Sequence, residues 1–130
     1  MDEPVWVERL VLDAVHLDQL REHGGLAGVR DENALESALA RARQKWRYAP
    51  ESALAMLAAA YGFGIVTGHP YRDGNKRSGF LAMAIFLGLN GREIEAAEAD
   101  VVATILAVAD NRCSEEELAA WVHDHLIVLE

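Results

Sequence analysis

One cysteine, Cys113, is all that this 130-residue chain contains. An internal disulfide is therefore excluded, and a reducing compartment is implied. Also missing is an N-terminal pattern of basic residues, apolar run and cleavage site. No apolar stretch is long enough to read as a membrane span before Gly, Arg or a polar residue breaks it. The expected location is the cytoplasm, away from membranes. Repeats, low-complexity segments and linkers are absent, so residues 1–130 read as one domain. Positive charge is scarce too. The net charge of −9 repels a phosphate backbone, and direct nucleic-acid binding is not expected.

What is present is an ordinary globular composition, 52% hydrophobic and 25% charged. The opening "VWVERLVL" alternates like a short strand. Asp13 then reads as the N-cap of a helix through Val15, Leu17 and Leu20 that stops at Gly24-Gly25. "GGLAGVRD" reads as a helix stop plus a turn. Asp31 caps a second helix, "ENALESALARARQ", and "KWRYAP" connects it to the next. "ESALAMLAAAYGFGIV" is apolar on nearly all sides and reads as a buried helix. The helix predicted from Asn75 to Asn90 would be roughly 24 Å long. The whole domain has a radius of gyration of only about 14 Å. This apolar helix must therefore cross the core and surface at one end. "REIEA" suggests a strand pairing with the N-terminal one. "DVVATILAVADN" is amphipathic. "SEEELAAWVHDHL" opens with a capping box, Ser114 to Glu117, and puts Leu118, Trp121, Val122 and Leu126 on one face. The fold class is all-α, a compact bundle of about six helices around a central apolar helix, with at most a short two-stranded sheet.

Between two apolar segments lies "TGHPYRDGNKRSGF", with His69, Asp73, Asn75, Lys76 and Arg77 inside nine residues. Pro70 pushes His69 toward extended backbone. Asn75 suits an N-cap, leaving N–H groups at about Lys76 to Ser78 as an anion site. Two cations at a helix N-terminus are unfavourable, so an anion such as phosphate is expected to offset them. Gly74 and Gly79 allow a ligand or a neighbouring helix to come close. Asp73 could pair with Lys76 or Arg77, or hold Mg²⁺ together with substrate phosphates. His69 could take a proton from a hydroxyl. These are the parts of a phosphoryl or nucleotidyl transfer site. "HDH", His123 to His125, reads as a solvated helix end, and Cys113 has no visible catalytic partner.

"HPYRDGNKR" resembles the signature of the Fic/Doc superfamily, H-x-F-x-D/E-G/A-N-x-R, with Tyr71 in place of the usual Phe. "VHLDQLREHGGLAGVRDENALESALAR" is similar to the N-terminal region of Doc (death-on-curing) toxins. Fic adenylyltransferases carry Gly where this chain has Lys76, and a second Arg where it has Phe80; Doc has the Lys and lacks that Arg. The resemblance implies a toxin kinase that uses ATP and Mg²⁺ to phosphorylate a threonine of elongation factor Tu, arresting translation. It gives His69 the role of base, Asp73 that of Mg²⁺ ligand, and Gly74, Asn75, Lys76 and Arg77 the phosphate cradle. The alternatives are an adenylyltransferase and a non-catalytic module that binds an antitoxin; the intact His69 argues against the second. Self-inhibited Fic proteins carry S/T-x-x-x-E-G/N. Here Ser37, Ser52, Thr67, Ser78, Thr104 and Ser114 are followed four residues on by Arg41, Met56, Tyr71, Ala82, Val108 and Leu118. A separate antitoxin is therefore expected, docking as a helix on Trp6, Trp46 and Trp121.

Overall fold

A computed structural model describes residues 2–130. The helices are α1 (Arg9–His23), α2 (Glu32–Tyr48), α3 (Leu54–Gly68), α4 (Asn75–Leu89), α5 (Glu98–Ala109) and α6 (Glu115–Asp124). Two short strands, β1 (Arg92–Ile94) and β2 (Leu126–Val128), pair antiparallel with Arg92 opposite Val128. The all-α reading with a scrap of sheet holds. No helix among the described residues is long and apolar enough to cross a membrane.

Helix α3 is the most enclosed element, because its alanines and glycines let neighbours close in on every side. Leu57, Ala58, Ala59, Ala60, Tyr61, Ile65 and Val66 are all fully buried, and α2, α4, α5 and α6 pack around it. Helix α4 lies tightest against it. An added Cβ on Gly79 would sit 2.6 Å from Val66 Cγ2 and 3.3 Å from the Gly62 carbonyl oxygen. This crossing of backbones fixes the C-terminus of α3 beside the N-terminus of α4, where the candidate site sits.

Capping chemistry sets several boundaries. Asp31 accepts from the Ala34 N–H at 3.0 Å. Ser114 and Glu117 form the expected reciprocal capping box, which holds the Glu117 carboxyl below its usual value through the Ser114 backbone N–H and hydroxyl. Gly24 stops α1 with a φ of 80°.

Five expectations fail for identifiable reasons. "VWVERLVL" forms no strand. Its Val5 is gripped by the Asn90 side-chain amide on both N–H and C=O, at 2.9 Å each, and Val7 donates to the Tyr61 hydroxyl. Trp6 meanwhile stacks on Phe86. The strand at "REIEA" accordingly pairs with β2 instead. Asp13 is not an N-cap, since α1 begins a turn earlier, at Arg9. "KWRYAP" is helical as far as Tyr48 and extends α2. Leu126 belongs to β2, not to the face of α6.

Candidate active site

The segment from His69 to Arg77 makes the turn between α3 and α4, and three parts of the chain hold it. His69 ends α3 in the left-handed region, φ 48° and ψ 52°, not in the extended backbone expected before Pro70. Helices commonly stop this way, and His tolerates the conformation better than most residues. Arg30 locks it: its Nε donates to the His69 carbonyl at 2.7 Å and its Nη2 to the Gly68 carbonyl at 3.0 Å. The Arg30 and Asp31 N–H groups both reach the Pro70 carbonyl. The His69 side chain itself is exposed.

Gly74, with φ 77°, takes the N-cap position expected of Asn75. The Asn75 amide turns back instead. It accepts from the Tyr71 N–H and donates to the Tyr71 carbonyl, each at 2.9 Å. The amide is thus held against the turn, and the Asn75 backbone N–H is left without a protein acceptor at the start of α4. The Ser78 N–H already bonds the Gly74 carbonyl at 2.9 Å, so the free donors of α4 are those of Asn75, Lys76 and Arg77.

Tyr71 is buried, and its hydroxyl donates to Asp13 Oδ1 at 2.7 Å. Burial, reinforced by that carboxylate, raises its pKa well above the ordinary phenol value, so it remains a donor. Asp13 also takes Arg9 Nε at 2.9 Å, and Arg9 reaches on to Glu32 and Glu36 of α2. The glycine loop of residues 24–30 wraps the other side. Leu26 N–H donates to Asp73 Oδ2 at 2.7 Å, Arg72 N–H to the Gly28 carbonyl at 3.0 Å, and Val29 bridges Tyr71.

Asp73 is exposed and makes no ion pair with Lys76 or Arg77 among the described residues; its other oxygen has no protein partner there. No cluster of three or more metal-ligating side chains gathers among the described residues. One carboxylate oxygen of Asp73 is therefore all that this turn offers a cation, a donor set that would serve Mg²⁺ only if phosphate oxygens and water filled the rest of its shell.

Beside this turn opens a cleft of ≈ 630 Å³ between α1, α4 and α5. Gly74, Asn75, Lys76, Arg77 and Phe80 line one wall, and Val101, Val102, Ile105 and Leu106 of α5 line the other. His69 and Asp73 stay outside its lining. Lys76 and Arg77 are exposed, with no carboxylate partner among the described residues. In a chain of net charge −9, two unpaired cations on a helix N-terminus mark a place for an anion.

The remaining candidates recede. His125 Nδ1 lies 2.7 Å from the Trp121 carbonyl, and its ring packs on Trp121; His123 is exposed. Burial raises the Cys113 thiol pKa, which disfavours the thiolate. Trp6 is buried in the core and is not a free anchor for a partner; Trp46 and Trp121 are partly buried and pack against that core.

The features converge on one class. The model of the Fic/DOC family matches residues 6–87, more than half of the chain and all of the turn from His69 to Arg77, and the chain belongs to that family. It is 29% identical over 83 residues to "Protein kinase doc" of Escherichia phage P1, a match that covers 64% of this chain and 66% of that protein's length.

Proposed function

We propose that this protein is a Doc-type toxin that transfers the γ-phosphoryl group of ATP to a hydroxyl of a translation factor. One observation carries the reading. Lys76 and Arg77 stand unpaired on the α4 N-terminus, while Phe80, apolar and half-buried, occupies the place of the second arginine of adenylyltransferases. A cradle with three free N–H groups and two cations suits a terminal phosphate. His69, exposed at the end of α3, is the base that accepts the hydroxyl proton. Asp73 would hold Mg²⁺, which supplies charge neutralisation to the phosphates when bound. Elongation factor Tu is the target by family likeness.

The apolar cleft supports a partner as well. Exposed Val102 and Leu106 face the cradle across it, and the S/T-x-x-x-E-G/N motif of self-inhibited relatives does not occur in residues 1–130. A separate antitoxin, laid as a helix into this cleft, would cover the cations.

The test is transfer from labelled ATP to a lysate fraction containing translation factors, with Mg²⁺. Label from the γ-position, lost in His69→Asn, is expected; a general base typically contributes roughly 10²–10⁴-fold. Label from the α-position alone would make the protein an adenylyltransferase. No transfer from either position would leave the antitoxin-binding module.

A further inference from the structure

Three groups that a ligand would meet, the Asp73 carboxylate, the Gly74 turn and the first N–H groups of α4, are all aimed by one stretch of backbone, residues 71–75. We propose that His16 is the positioning residue that sets the direction of this stretch. It lies on the buried stripe of α1 between Leu12 and Leu20 and is 4% exposed. Its ring lies flat against the Tyr71 ring, with centroids 3.7 Å apart and planes 9° apart. Its Nε2 is 2.8 Å from the Asp73 carbonyl oxygen. A carbonyl can only accept, so Nε2 carries the hydrogen and donates. The same ring sits under Gly74, where an added Cβ would come 3.6 Å from Cδ2 and Nε2.

One side chain thus holds the ring at 71, the peptide plane leaving 73 and the left-handed turn at 74. That peptide plane decides two things. Rotating it would swing the Asp73 side chain off the Leu26 N–H, and it would tip the first turn of α4 that bears Lys76 and Arg77. Among the described residues His16 makes no hydrogen bond or ion pair with the Asp73 carboxylate or with either cation, so it acts through the Tyr71 ring and the backbone of residues 73 and 74. A space-filling role needs only a ring. The positioning role needs the N–H, without which the Asp73 carbonyl has no partner beside Tyr71.

His16→Phe keeps the ring and the stack and removes the N–H. His16→Gln loses the ring but places an amide N–H near the Nε2 position. The first measurement is amide exchange in the ligand-free protein. Leu26 and Arg72, whose hydrogen bonds close the glycine loop over residues 72 and 73, should exchange roughly five- to tenfold faster in His16→Phe. They should return toward the parent rate in His16→Gln, with α3 amides unchanged in both. The second measurement rests on the phosphotransfer reading: affinity for Mg²⁺ with a non-hydrolysable ATP analogue. It should fall about 10–100-fold in His16→Phe and largely recover in His16→Gln. Parent-like exchange in His16→Phe overturns the proposal, as does equal acceleration in both variants. Faster exchange with unchanged analogue affinity overturns it too. If the parent itself binds no analogue, the phosphotransfer reading falls, and exchange alone decides the role of His16.

Discussion

Gly79→Ala should destabilise the protein, while Gly88→Ala, nine residues along the same helix, should stabilise it. Both changes gain helix propensity, about 0.5–1 kcal/mol. They differ in what the new methyl group meets. At Gly88, which is exposed, nothing lies within 4 Å. At Gly79 the methyl group would sit 2.6 Å from Val66 Cγ2. Val66 is fully buried and, being β-branched, has no easy rotamer to retreat to. Overpacking of this kind typically costs about 1–3 kcal/mol. Subtracting one variant from the other cancels the propensity gain and leaves the clash. For a chain of this length the unfolding entropy is ~0.27 kcal/mol/K. The two variants should therefore melt about 4–11 °C apart. Calorimetry reads that gap, and urea midpoints check it. Because α3 ends in His69 and α4 begins at the cradle, Gly79→Ala should also lower phosphoryl transfer, and Gly88→Ala should leave it unchanged. Gly79→Ala melting at or above Gly88→Ala would refute the close crossing and the registration of the site that depends on it.

Tyr71→Phe restores the residue usual in the family and removes the bond to Asp13. Asp13 is part-exposed and keeps Arg9, so the cost is about 1–2 kcal/mol, a fall in Tm of about 4–7 °C; transfer activity should persist, and its loss would place the hydroxyl in the chemistry. Glu117→Gln probes the α6 capping box. The folded Glu117 pKa lies below its ordinary 4.5, so its stabilisation is complete above that value and is lost as pH falls through the folded pKa. Urea midpoints of parent and Glu117→Gln should differ at pH 7 and converge toward pH 3; parallel curves would dismiss the coupling.

Much of this was legible in the residues because it is local. Asp31 and the Ser114–Glu117 box announce their helices, the alanines of α3 announce its burial, and nine residues announce the family. The failures are long-range. Half-buried alternation in "VWVERLVL" looks like a strand, but its partner is the amide of Asn90, 85 residues from Val5. Asn75 is a favoured N-cap type, yet the positive φ of Gly74 claims that position and frees the amide to clasp Tyr71. The stripe Leu12, His16, Leu20 is hidden in the sequence because Leu12 falls in the segment that reads as a strand, and Leu17, expected with Leu20, is exposed instead. Nothing in it points to the carbonyl 57 residues away. Trp6, large enough to anchor a partner, is used instead in this protein's own core, against which Trp46 and Trp121 pack.

The turn held between Arg30, the glycine loop and α1 has a consequence for anyone wishing to move this chemistry elsewhere. Residues 69–77 are not a portable cassette. Transplanted into another helical hairpin they would carry the imidazole, the carboxylate and the cations. They would leave behind the guanidinium that pins the carbonyls of Gly68 and His69 and the N–H that faces Asp73 Oδ2. Any transferable unit has to reach back to α1 and the glycine loop and forward to the α5 wall of the cleft.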